Sequence, residues 1–271
     1  METARDVLRV TLIQCDSTHA YEENLAVIDK QIAACAPDSD LIVLPEICCF
    51  RAGMKQYAEI AQPIDGALSK HVATLAKTHT TWILLGSFAE RDGEHVYNSS
   101  VLFAPTGERA AVYRKIHLFG VDLDDGTTVN EADAYTPGTA PSQTHILGWQ
   151  TGLSICYDLR FPELFRSLAN TGLDLILAPS DFTAATGEAH WETLCRSRAI
   201  ENQCYLVAAN QCGHNRVTGV TSYGHSMIVD PWGEIVAQAG DQPCTLRATL
   251  SLERIQSVRQ QLPALKHRRL K

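Results

Sequence analysis

Short apolar runs alternate with longer amphipathic stretches along this chain, and the alternation is followed twice in the same order. VLRVTLIQC (7–15) reads as a strand, and residues 22–36 place Leu25, Ile28 and Ile32 at helical spacing. DLIVLPE (40–46) is apolar on both faces and reads as a buried strand. A helix over 66–79 and a strand WILLGSF (82–88) follow. VYNSSVLFAPTGERAAVYRK (96–115) then reads as a hairpin turning at Pro105, Thr106 and Gly107, where proline and glycine supply the turn dihedrals. The second half predicts strand 151–158, helix 161–171, strand 174–180, helix 188–203, strand 204–210 and a hairpin over 222–238.

Some positions repeat one for one. Tyr97, Ser100, Pro105, Gly107 and Glu108 recur as Tyr223, Ser226, Pro231, Gly233 and Glu234, and Asp40-Leu41-Ile42 with Pro45 recurs as Asp174-Leu175-Ile176 with Pro179. Two similar halves packed into one domain spanning 1–271 are therefore expected. Runs such as LIVLP and LILAP must be covered on both sides, by helices outside and a second sheet inside. The predicted fold is α/β, a four-layer α-β-β-α sandwich with an internal pseudo-twofold repeat.

Composition narrows the function. With 271 residues and a formal charge of -8, the chain lacks the basic surface that a polyanion partner demands, so nucleic acid is not an expected partner. No apolar run approaches the roughly 18 residues of a membrane span, so no membrane partner is expected either. Nine cysteines, an odd number scattered through apolar segments with no C-x-x-C pair, suit a reducing compartment rather than a disulfide framework or a zinc site. A cytoplasmic protein is expected.

Polar residues that close apolar strands are the first candidates for chemistry, because strand ends reach shared crevices. Glu46 closes LIVLPE, Lys115 closes the return strand of the first hairpin, and Cys156 closes GLSIC. Singly, each residue type at such a place is more often structural than functional. Together they form a hydrolytic set: a thiol needing activation, a carboxylate to take its proton, and an ammonium to face a developing oxyanion.

LPE (44–46), YRKIHLF (113–119) and CYDLRFPELFR (156–166) resemble the three signature blocks of the nitrilase superfamily of carbon-nitrogen hydrolases, and the likeness runs nearly end to end. That resemblance implies the α-β-β-α sandwich, no metal and no organic cofactor. It implies Cys156 as nucleophile, Glu46 as general base, Lys115 as oxyanion stabiliser, Glu131 (in NEADAYTPG) as a supporting second glutamate, and the Tyr157 backbone N–H as a further oxyanion donor. Within the family the likeness is nearest to the branch of deaminated glutathione amidases and omega-amidases. The substrate it implies is a small carboxylate-bearing amide, deaminated glutathione cleaved to 2-oxoglutarate and Cys-Gly, with 2-oxoglutaramate or another amide, carbamoyl compound or nitrile as alternatives and an idle binding protein as the alternative of another class. Arg160 is a candidate for pairing with a substrate carboxylate, or else for tying down Asp158 or Glu163. His190, with Trp191, is expected to begin a helix and is a second candidate for substrate contact. His117, His225, Cys15, Cys48 and Cys49 are expected to be structural. Gly120, followed by VDLDDGTT, stands where relatives carry an acidic residue. Helix-on-helix homo-oligomerisation is expected by resemblance only.

Overall fold

Leu41, Ile42 and Val43 show why the chain layers as it does. In this strand Leu41 and Val43 join one apolar cluster with Leu153, Leu175 and Leu206 of the other half, whereas Ile42 packs with Ile28, Ile32, Leu68 and Val72 of two helices. Alternate side chains thus face a second sheet and a helix layer, as a period of two requires. The structure, a computed structural model, describes residues 5–122 and 128–270.

One six-stranded sheet runs, in spatial order, Cys244–Ser251, Val7–Gln14, Leu41–Val43, Trp82–Asp92, His95–Phe103 and Arg109–Arg114. The other runs Ser142–Ile146, Trp149–Leu153, Leu175–Leu177, Tyr205–Ala208, Met227–Val229 and Ile235–Gln238. Read this way, both sheets have the same pairing: antiparallel, parallel, parallel, antiparallel, antiparallel. Helices Tyr21–Cys35 and Ala67–His79 carry the parallel crossovers of the first sheet, and Pro162–Ala169 and Ala184–Asn202 those of the second. The pseudo-twofold sandwich expected from the sequence is the fold observed.

Repeated residues repeat their bonds. Asp40 accepts the backbone N–H of Arg9 at 2.9 Å, and Asp174 accepts that of Gln150 at 3.1 Å. In the two hairpins Gly107 N–H donates to Ala104 O and Gly233 N–H to Asp230 O, with φ of 85° and 89° that favour glycine.

Boundaries differ from expectation where turns intrude. Strands 40–46 and 174–180 shrink to Leu41–Val43 and Leu175–Leu177, and strand 151–158 starts earlier and ends earlier, as Trp149–Leu153, because the residues beyond them turn out of the ladder. Glu46 and Cys156 therefore lie three residues past their strands, on turns. Helix 188–203 starts earlier, at Ala184, where Thr183 caps it by accepting the Thr186 N–H. His190 and Trp191 thus sit inside that helix and do not begin it. Of the VDLDDGTT segment, 123–127 lie outside the described residues; Gly120–Asp122 pairs antiparallel with Thr128–Asn130.

Candidate active site

Glu46 is placed by a kinked turn. Ile47 adopts φ 48°, its N–H donates to Ser87 Oγ at 3.0 Å, and Gln211 Nε2 holds the Glu46 carbonyl at 2.9 Å. Gly86 backs this turn so closely that a Cβ there would lie 1.9 Å from the Pro45 carbonyl oxygen. Lys115 directly follows Arg109–Arg114. Its N–H donates to Asn98 O at 2.9 Å, while Asn98 Nδ2 donates to Glu46 Oε1 at 2.8 Å, so one asparagine registers both residues.

Lys115 Nζ then closes the constellation, 2.8 Å from Glu46 Oε1, 2.9 Å from Glu131 Oε1 and 2.8 Å from Glu131 Oε2. Glu131 lies in the turn Glu131–Asp133 and is fixed in both directions: Phe119 N–H donates to its carboxylate at 2.7 Å, and its own N–H donates to Phe119 O. All three side chains are buried.

Cys156 opens a 3₁₀ turn, Cys156–Arg160, with φ 49°, a left-handed value uncommon for a non-glycine residue. Its N–H donates to Pro179 O at 2.9 Å. Glu46, Glu131 and Cys156 line one cleft of about 790 Å³, together with Arg51, Tyr57, Phe119, Tyr135 and Asp181. Tyr157 follows the cysteine with its ring edge-on to Phe119.

Electrostatics follow from burial. Burial pushes the Cys156 thiol well above its ordinary value; Glu46 adds to the rise and Lys115 opposes it. Burial likewise raises the Glu46 carboxyl, with Lys115 pulling down and Glu131 pushing up. For Lys115 burial works toward the neutral form, but the Glu131 and Glu46 carboxylates outweigh it and the ammonium persists. The resting site thus pairs a protonated thiol with a carboxylate more basic than one in water, beside a fixed cation. Such a set can move a proton from sulfur and stabilise negative charge on a neighbouring oxygen.

The other sequence candidates divide. Arg160 lines a small recess adjoining Cys156 with Phe119, Phe182 and Thr183, and its guanidinium lies over the Tyr157 and Phe182 rings at 5.6 and 5.4 Å. Its hydrogen bond is to His190 Nδ1 at 3.3 Å, and not to Asp158 or Glu163. His190 itself is exposed and lines neither space. His117 bonds Asp158 and stacks on Phe161; His225 bonds the Tyr223 carbonyl; Cys15, Cys48 and Cys49 are buried in the helix-side core.

Sequence reasoning missed Arg51 and Asp181. The Arg51 side chain is fully buried on the cleft wall, donating to Cys212 O and Gly213 O at 2.8 and 3.1 Å, with Asp16 and Asp181 at 3.4 and 3.7 Å. Their partners are distant in sequence, so only the central position of FRAG beside LPE could have pointed to Arg51.

A profile described as carbon-nitrogen hydrolase matches residues 9–260. Deaminated glutathione amidase of Yersinia enterocolitica is 38% identical over 96% of this chain and 92% of its own length. Omega-amidase NIT2 of Homo sapiens is 35% identical over 96% of this chain and 95% of its own. The crystal structure of Saccharomyces cerevisiae Nit3, described as a member of branch 10 of the nitrilase superfamily, superposes with a TM-score of 0.88 at 32% identity, covering 99% of this chain and 100% of that one. The sandwich, the cleft and these likenesses agree: the chain belongs to the carbon-nitrogen hydrolase family.

Proposed function

We propose that this chain is a single-domain amidase that cleaves a small carboxylate-bearing amide through a Cys156 thioester. The observation that carries the reading is the buried Glu46–Lys115–Glu131 cluster opening onto the cleft that Cys156 lines. Glu46 takes the thiol proton as sulfur attacks the amide carbon. Lys115 and the Tyr157 N–H face the resulting oxyanion. The C–N bond then breaks as Glu46 passes its proton to the departing amine. Water, deprotonated by Glu46, attacks the thioester; carboxylic acid and free thiol result. Glu131 holds Lys115 in place and in its charged form.

The substrate we infer is deaminated glutathione, released as 2-oxoglutarate and Cys-Gly. The likeness to the Yersinia enterocolitica enzyme supports it, and so does a cleft of about 790 Å³, roomy for a tripeptide-sized compound. Omega-amidase action on 2-oxoglutaramate is the second reading, supported by the likeness to the Homo sapiens enzyme. Arg160, in the recess beside Cys156, would bind the keto acid end. A cytoplasmic homo-oligomer is part of the same reading; among the described residues no helix is long and apolar enough to cross a membrane.

The deciding experiment compares turnover of deaminated glutathione and 2-oxoglutaramate by the wild type and Cys156→Ala. Preference for the glutathione analogue, abolished by the substitution, is expected. Preference for 2-oxoglutaramate would select the second reading, and activity surviving in Cys156→Ala would overturn the mechanism.

A further inference from the structure

Asp158 is two residues past Cys156, has no exposed side-chain surface, and takes part in none of the chemical steps above. Four donors converge on its carboxylate. Tyr113 Oη and the Ile155 N–H reach Oδ2 at 2.7 and 2.9 Å, while the His117 N–H and His117 Nδ1 reach Oδ1 at 3.1 and 2.7 Å. Two of these partners, Tyr113 and His117, stand two residues before and two after Lys115. The fourth donor, Ile155, immediately precedes Cys156.

The carboxylate therefore joins the lysine segment of the first half to the nucleophile turn of the second. On the cysteine side, Ile155 N–H donates to Oδ2 and Asp158 N–H donates back to Ile155 O at 3.0 Å, closing a loop around Cys156. That loop holds Cys156 at φ 49°, a left-handed conformation that a non-glycine residue keeps only when its surroundings enforce it. On the lysine side, Tyr113 Oη also accepts the Ile116 N–H at 3.3 Å, and the His117 ring stacks on Phe161 with centroids 3.8 Å apart. Burial and the Asp158 carboxylate push the Tyr113 phenol far up, so it remains a donor throughout the working range of pH.

We propose that Asp158 is a positioning residue whose carboxylate, bridging Tyr113 and His117 to the Ile155–Cys156 turn, sets the placement of the Cys156 sulfur relative to Lys115. The inference rests on the proposed thiol mechanism. Its signature is a loss in kcat with KM nearly unchanged, because the carboxylate orients reacting groups without lining the cleft. A misplacement of about 1 Å costs up to roughly 10²-fold in rate.

The test uses Tyr113→Phe and Asp158→Asn in the full chain. Asparagine swaps one acceptor oxygen for a donor amide among four donors; phenylalanine deletes a single hydroxyl and keeps the ring. Turnover of deaminated glutathione and 2-oxoglutaramate is normalised to the amount of Cys156 that iodoacetamide alkylates. Expected are kcat losses of about 10-fold for Tyr113→Phe and about 10²-fold for Asp158→Asn, with KM within about twofold. Should Asp158→Asn fail to fold, Tyr113→Phe decides alone. Folded Tyr113→Phe with wild-type kcat per alkylatable thiol, and only a lower melting temperature, would make the cluster plain scaffold and overturn the proposal. Failure of the thiol mechanism itself would show separately, as turnover retained by Cys156→Ala.

Discussion

Lys115→Met puts the central electrostatic argument at risk. The lysine side chain has 0% exposure and is flanked by Glu46 at 3% and Glu131 at 9%, so methionine of similar length leaves two buried carboxylates with no cation between them. Breaking a buried ion pair by removing one partner costs about 3–5 kcal/mol. At roughly 2 °C per kcal/mol for a chain of this size, melting should fall by about 6–10 °C. The pH dependence has a definite sign. Without the ammonium the two carboxylates repel, and Glu46, already raised by burial and by Glu131, rises further above its unfolded value. A carboxyl raised in this way adds stability below its unfolded pKa and loses it as pH climbs through the folded value. The deficit of Lys115→Met should therefore shrink on acidification. In the wild type the Glu131 and Glu46 carboxylates hold Lys115 well above the ordinary lysine value, so its own contribution persists until strongly alkaline pH.

Activity separates from stability in a companion variant. Lys115→Met should lower kcat/KM by about 10²–10³ or more, the scale for losing one oxyanion donor. Lys115→Met/Glu131→Gln removes one of the repelling charges, so it should recover part of the melting temperature and none of the rate. Circular dichroism melts across mildly acid to mildly alkaline pH, beside initial rates, test both. Melting equal to wild type, a deficit that widens on acidification, or kcat/KM within about twofold of wild type would each refute the reasoning.

Three further outcomes follow from the same geometry. The proposed base must be ionised, and the Glu46 carboxyl is raised above its ordinary value by burial first and by Glu131 among other groups; Glu131→Gln should move the acid limb of the kcat/KM profile to lower pH while lowering its plateau. Gly86→Ala places a Cβ 1.9 Å from the Pro45 carbonyl oxygen, backbone against backbone, and should cost more than about 4 kcal/mol in urea unfolding or abolish soluble expression. Arg160→Ala should raise KM at least about tenfold for keto acid amides and little for a neutral amide of similar size, measured as parallel saturation curves.

The layers and halves were legible because LIVLP and LILAP are apolar on both faces and recur with flanking Asp and Pro. The strands Ser142–Ile146 and Cys244–Ser251 were not. SQTHI carries few apolar residues, and CTLRATLS is a half-exposed edge whose partner, Val7–Gln14, lies at the other end of the chain. Glu46, Lys115 and Cys156 were visible as polar stops to apolar runs, yet their turns were not. A φ of 48° at Ile47 or 49° at Cys156 leaves no local sign when the residue is not glycine; it is imposed by tertiary bonds such as Ile47 N–H to Ser87 Oγ and Cys156 N–H to Pro179 O. Arg51 and Asp181 escaped for a like reason, since their partners come from four separate stretches of chain.

The internal repeat also bears on how many sites one chain can hold. Arg9 and Gln150 make the same bond to Asp40 and Asp174; six residues beyond the first pair stand Cys15 and Cys156, and six beyond the second stand Glu46 and Ser180. The hairpin repeat that aligns Glu108 with Glu234 places Asp241 opposite Lys115. A mirror site would therefore have a thiol, a hydroxyl in place of the base and a carboxylate in place of the ammonium. Cys15 lacks the left-handed turn of Cys156 and is buried in the helix-side core, where burial and neighbouring thiols push it well up. The mirror set offers neither the base carboxylate nor the cation that stand beside Cys156. One acyl-enzyme per chain is expected, on Cys156 alone, read as a burst of one equivalent and by mass spectrometry of the quenched thioester. A second equivalent, on Cys15, would show that the repeat preserved chemistry as well as architecture.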